Sequence, residues 1–244
     1  MIIDAWGQHP TVRGLAPTLD AMDRAGIDRM LISAWVGPRN VAISNDEIVA
    51  VTAGAGGRLI GVGSVDMSKP MEAVREVRRC VRELGFKAIR LLPWLWQAPP
   101  TDRRFYPLYV ACVEEGVPLC VQAGHENPLA PLDVGRPAHL DQIAAEFPDL
   151  VIVAGHVGHP WTEEAIATAE RRPNVCLDAS ACAERIPDQL RDYLIGPGAS
   201  RVLFATDAPI VATGEALRAL DRIALTNDVR TSFLAGNAIR VFKL

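Results

Sequence analysis

The chain of 244 residues is 49% hydrophobic and 22% charged, and 25 Lys and Arg against 29 Asp and Glu give a formal net charge of −4. That composition excludes a disordered chain. A mildly acidic sequence without basic clusters also excludes nucleic acid and an anionic membrane surface as expected partners. No apolar run reaches the roughly 18 residues that a membrane span needs, and the start Met1-Ile2-Ile3-Asp4 lacks the basic and apolar regions of a secretion signal. Cys80, Cys112, Cys120, Cys176 and Cys182 form no CxxC pair. A globular cytoplasmic protein with reduced thiols is expected.

In chain order, short apolar and β-branched runs fall at residues 2–4, 27–34, 59–65, 88–92, 119–122, 151–154, 175–178 and 202–205. Apolar residues continue on both faces of these runs, as in parallel strands buried from both sides. Amphipathic segments lie between them. Met71, Val74, Val77, Val81 and Leu84 form one apolar stripe, Phe105, Leu108, Cys112 and Val113 a second, and Leu140, Ile143, Ala144 and Phe147 a third. Gly26, Gly85 and Gly116 stand where a helix ends before a strand. Eight strand–helix units predict a single-domain α/β protein, a (β/α)₈ TIM barrel spanning residues 1–244. A doubly wound sheet is the alternative, but the glycines of residues 54–57 precede a strand instead of linking a strand to a helix.

Such barrels build their active sites where the strands end. Of the five histidines, His9 follows the first predicted strand, His125 the fifth, and His156 and His159 the sixth, while His139 falls in a helix. Asp207 ends the apolar run Val202-Leu203-Phe204-Ala205-Thr206, where a carboxylate enters the barrel mouth or caps a helix before Pro209. Asp178 ends the seventh strand and is read as capping or positioning a loop. Arg90 on the fourth strand meets a substrate carboxylate through its guanidinium fork, or makes an internal ion pair.

Several stretches together resemble a known family: IIDA at 2–5, GFKAIRLLP at 85–93, FYPLYVACVEEGVPL at 105–119, GHVGHPW at 155–161, NVCLDAS at 174–180, VLFATDAP at 202–209 and GNAIRVF at 236–242. The chain resembles the amidohydrolase-related branch of the amidohydrolase superfamily, which includes aminocarboxymuconate-semialdehyde decarboxylase-like enzymes. The resemblance implies a TIM barrel, usually with one divalent metal, that hydrolyses or decarboxylates a small carbonyl compound. The departures matter as much. The family's His-x-His after the first strand is replaced by Trp6 and Gln8, and its histidine after the fifth strand by Gln122. Of the usual metal-site residues, His156 and Asp207 remain.

A catalytic zinc takes three protein ligands from His, Cys and carboxylates. Tryptophan cannot be a ligand, and His9 is one residue out of step with Gln8. The expected site therefore holds no metal. The alternative is one divalent ion such as zinc through His156 and Asp207, with His125 swinging in from its loop. In the metal-free reading Asp207 and His156 are the catalytic acid and base, Gln8 and Gln122 donate to an oxyanion, and Trp6 walls the pocket for a conjugated substrate. His125, His159 and Trp94 join Arg90 around the small-molecule substrate. Trp94 and Trp96 alternatively serve an oligomer contact such as that of a homodimer. Cys182 reads as a buried thiol and Trp161 as packing for its loop.

Three functions fit these residues. The first is acid–base hydrolysis, or a related proton transfer, on a small activated carbonyl, lactone or aromatic acid. The second is nonoxidative decarboxylation of an unsaturated or aromatic acid. The third is a non-catalytic binding module on the barrel. The fold does not choose among them.

Overall fold

The doubly apolar runs form strands that are covered on both sides. In the computed structural model, which describes residues 1–10, 14–38, 40–124, 131–180, 186–209 and 211–244, the strands are β1 (Ile3–Gly7), β2 (Arg29–Ser33), β3 (Trp35–Gly37), β4 (Asn40–Ile43), β5 (Leu59–Val62), β6 (Ile89–Leu91), β7 (Leu119–Val121), β8 (Ile152–Ala154), β9 (Val175–Asp178) and β10 (Val202–Leu203). All but β3 and β4 are parallel neighbours in chain order, β1-β2-β5 and then β6 through β10. A parallel bridge from Gly63 to Ile89 joins the two groups, and Ala5 N–H donates to Phe204 C=O at 2.9 Å across the other seam. The result is a closed TIM barrel.

Two sets of apolar side chains follow from the strand period of two. Ile32, Leu59, Ile89, Leu119, Ile152 and Val175 face outward under the helices. Ile3, Ala5, Leu31, Val62, Ala88, Cys120, Val153, Cys176 and Leu203 fill the barrel. The helix Asn237–Phe242 plugs its lower end with Val241 and Phe242. Asn237, in the GNAIRVF stretch, ties this plug to the barrel by donating to Val202 C=O at 2.7 Å and to Ala199 C=O at 2.9 Å. The helix Pro70–Arg82 buries Ala73, Val77 and Cys80 and turns its arginines outward. Gly26 and Gly116 close their helices with φ of 71° and 64°, which a Cβ would penalise. No helix among the described residues is long and apolar enough to cross a membrane.

Two features depart from the sequence expectation. The hairpin of β3 and β4 follows the second barrel strand directly, inside what reads as a strand–helix loop. The last strand is also shorter than residues 202–205, because Phe204 N–H turns from the ladder to Phe233 C=O at 3.1 Å.

Candidate active site

Above the apolar filling, the inward positions become polar. Two residues beyond an apolar inward side chain, Ser33 follows Leu31, Arg90 follows Ala88, Gln122 follows Cys120 and Asp178 follows Cys176. This polar layer is buried, and it includes Asp4, His156, Ser180 and Asp207.

A bulge in β1 decides what fills the centre. The register slips by one residue between Asp4 and Gly7, so the consecutive residues Ala5 and Trp6 both point inward. Asp4 holds the bulge: its carboxylate accepts from Trp6 N–H at 3.1 Å, from Thr206 N–H at 3.0 Å and from the Thr206 hydroxyl. Burial pushes this carboxyl up to about 7 against those three hydrogen bonds, which favour the charged form.

The Trp6 indole crosses the barrel to Gly155 after β8, where a Cβ would lie only 3.1 Å from Cη2. It meets the His156 ring edge-on, with ring centroids 5.3 Å apart. The Arg90 guanidinium stacks on its other partner face, with Cζ 3.3 Å from the ring centroid. Arg90 donates to Ser33 Oγ at 2.6 Å, and its Nε and Nη2 are buried without hydrogen-bond partners among the described residues. Burial lowers its affinity for the proton to about 10. Trp6 and Arg90, expected to border the substrate, are both buried, and the bulge turns the indole inward over the guanidinium.

Asp207 has a left-handed φ of 62°. Its N–H donates to Trp6 C=O at 2.7 Å, and Gln8 N–H donates to Ala208 C=O at 2.8 Å. The Gln8 side-chain amide donates to Asp207 Oδ1. One hydrogen of the amide expected to serve an oxyanion is therefore given to the carboxylate. Burial first, then the nearby Asp178 charge, raise the Asp207 carboxyl to about 6, while Gln8 and Arg90 oppose the rise. Gln8 also borders a cavity of ≈ 340 Å³ with Ala208, Met22 and Met30 on its walls and Arg24 and Arg218 at its edge.

His156 also has a left-handed φ, 56°, and Val157 follows at 47°. Its Nδ1 lies 2.8 Å from Ser180 Oγ, whose hydroxyl donates to Asp178 Oδ1. Gln122 accepts from Trp94 Nε1 at 2.9 Å, and Trp94 packs edge-on against Trp35 of β3 with centroids 5.9 Å apart. His159 is exposed at the rim and His9 is buried beside the helix Asn45–Ala53, with burial lowering its proton affinity. His125 and Cys182 lie outside the described residues.

Sequence reasoning gave no role to Asp4, Ser33 or Ser180. The signal available for Ser180 is its spacing of two from Asp178, which puts both on one face as β9 ends.

The family model Amidohydrolase matches residues 1–244, and the chain belongs to that family. A TIM-barrel protein from Bordetella bronchiseptica superposes with a TM-score of 0.89 at 24% identity, covering 99% of this chain and 98% of that one. The 5-carboxyvanillate decarboxylase from Sphingomonas paucimobilis gives 0.79 at 19% identity, over 100% and 99%. A dihydroxybenzoic acid decarboxylase from Polaromonas, with bound manganese and the inhibitor 2-nitroresorcinol, gives 0.80 at 18%, over 100% and 97%.

The manganese of the last structure corrects the expectation that the site holds no metal, which rested on three lost histidines: a neighbour of the same fold was solved with a divalent ion bound. The donors of this chain are Asp207 and His156 with the amides of Gln8 and Gln122. Among the described residues no three His, Cys, Asp or Glu side chains converge. The indole crosses the centre, and Arg90 puts a buried positive charge against it. Among the described residues, His156 and Asp207 are the ordinary ligands that would hold such an ion, with the remaining oxygens of a manganese shell to come from amides, water or substrate.

Proposed function

We propose that the chain is a carboxy-lyase that removes the carboxyl group of a small aromatic or unsaturated acid. The observation that carries this reading is the pairing, around one indole, of two different proton carriers. Asp207 is a carboxyl lifted to about 6, and His156 is a ring anchored at Nδ1. The names of the Sphingomonas and Polaromonas neighbours, both decarboxylases of aromatic acids, support the substrate class.

For a hydroxylated aromatic acid the protons balance as follows. His156 takes the ring hydroxyl proton, which drives electron density onto the carbon bearing the carboxylate. Asp207 gives its proton to that carbon. The carbon–carboxyl bond then breaks, carbon dioxide leaves, and the bonding pair returns to the ring as phenolate. The phenolate recovers its proton from His156, and solvent reprotonates Asp207. Arg90, buried below, lowers the energy of the added negative charge without touching the substrate. Gln122, whose carbonyl accepts from Trp94 Nε1, lines the same mouth.

Hydrolysis of a lactone or enol ester is the second reading, favoured by the family match. There Asp207 takes the proton of water. Release of carbon dioxide separates the two. The test is incubation with 2,6-dihydroxybenzoate, 5-carboxyvanillate and related acids, in buffers with and without added manganese. Carbon dioxide and the decarboxylated arene are expected, and Asp207→Asn should produce neither. Hydrolysis of lactones with no carbon dioxide from any acid would overturn the lyase reading.

A further inference from the structure

Asp178, Ser180 and His156 form a chain of contacts whose polarity is fixed by the number of available protons. Asp178 Oδ1 accepts from three donors: His156 N–H at 3.2 Å, Ser180 N–H at 3.0 Å and the Ser180 hydroxyl. Two backbone N–H groups aimed at one oxygen leave no place for a proton on it. Burial raises the Asp178 carboxyl above the usual carboxylate range, and any proton it takes up must sit on Oδ2, which is buried with no hydrogen-bond partner among the described residues. The Ser180 hydroxyl therefore donates to Oδ1 whichever charge Asp178 carries. Its single proton is then spent, and toward His156 Nδ1 at 2.8 Å the Ser180 oxygen can only accept.

We propose that Asp178 and Ser180 are positioning residues that lock the ring proton of His156 on Nδ1 and make Nε2 its basic nitrogen. A neutral imidazole carries its proton on one nitrogen only, and the hydrogen bond at one nitrogen sets the chemistry of the other. The relay also fixes the ring plane, since Trp6 meets the same ring edge-on from the barrel side. Ser180 and Asp178 are both completely buried, so water does not compete for these bonds. Arg90 supplies the countercharge that keeps Asp178 an effective acceptor.

The assignment of the tautomer stands on hydrogen-bond geometry alone. Its bearing on turnover rests on the proposed role of His156 as a proton carrier. The experiment is a long-range proton–nitrogen correlation spectrum of the full chain labelled with ¹⁵N-histidine, with His156 assigned by the signals lost in His156→Gln. At a pH where the ring is neutral, the wild type is expected to show Nδ1 protonated and Nε2 as the lone-pair nitrogen. Ser180→Ala removes the acceptor and should shift the ring toward the Nε2–H form. Asp178→Asn retains an oxygen acceptor and should keep the wild-type tautomer.

A wild-type ring protonated on Nε2 overturns the relay, and that result needs no variant to fold. An Nδ1–H ring unchanged in Ser180→Ala overturns it as well. If Ser180→Ala shifts the tautomer and decarboxylation proceeds at the wild-type rate, the relay stands and His156 loses its place as the proton carrier.

Discussion

Replacing Asp4 by Asn tests whether burial or hydrogen bonding governs the carboxyl beneath the site. Burial lifts this group from 3.8 to about 7. Each tenfold change in proton affinity corresponds to about 1.4 kcal/mol, so the folded protein holds the proton more tightly than the unfolded chain by roughly 4 kcal/mol. A raised pKa means that this stabilisation is fully present below about pH 4, where both states are protonated, and is lost as pH rises to about 7. Asn keeps an oxygen for the N–H groups of Trp6 and Thr206, and it has no proton to lose. Urea unfolding of both proteins from pH 4.5 to pH 8.5 should therefore show the Asn variant gaining on the wild type by about 1.4 kcal/mol per pH unit until about pH 7, then no further. A difference that stays flat across the range would refute the reasoning. It would mean that the carboxylate is charged in the fold and that its three hydrogen bonds outweigh its burial.

His156→Ala should lower turnover by about 10² to 10⁴, the usual contribution of a positioned acid or base, and added imidazole should restore part of it; a loss below tenfold would reduce the residue to a pocket wall. Gly155→Ala places a Cβ 3.1 Å from Trp6 Cη2 and 3.3 Å from Val121 C=O, so a destabilisation of about 1–3 kcal/mol is expected in urea unfolding. An unchanged midpoint would show that the indole has room to move. Asp207→Asn should keep or raise the melting temperature while abolishing turnover, because asparagine tolerates left-handed backbone and carries no buried charge. A sharp drop in melting temperature would make Asp207 a structural residue.

The barrel was legible because its own strands are buried from both sides, so their apolar runs stand out even when only two to four residues bond as strand, as in β10 and β9. Asp207 and His156 were legible as polar residues that end such runs. The inward direction of Trp6 was expected from its position, but the bulge that produces it was not legible. In a regular strand consecutive side chains alternate, and Ala5 and Trp6 share a face only because of the bulge that Asp4 secures. The hydrogen bond from Gln8 to Asp207 was not legible, since the two lie 199 positions apart in sequence. The metal expectation failed for a related reason: lost histidines describe the ligands, whereas the manganese in the Polaromonas neighbour reports what the fold can hold.

The backbone gives a separate reason to place function at Asp207 and His156. Both are non-glycine residues with left-handed φ, and the β-branched Val157 beside His156 shares that conformation at 47°. Each such residue costs of order 1–3 kcal/mol and persists only where its surroundings determine it. Those surroundings are visible here. Asp207 N–H is held by Trp6 C=O at 2.7 Å, and His156 N–H is held by Asp178 Oδ1 at 3.2 Å and Ser180 Oγ at 3.3 Å. A loop selected only to connect a strand to a helix has cheaper conformations available, and glycine would remove the cost at either position. Of the five described non-glycine residues with left-handed φ, Asp207 and His156 are the two with buried ionisable side chains, and each has a partner that orients its polar group: Gln8 for the carboxylate, Ser180 for the imidazole. Strain, orientation and burial thus coincide on the same two residues, which is what the proposed role of proton carriers at the barrel mouth calls for.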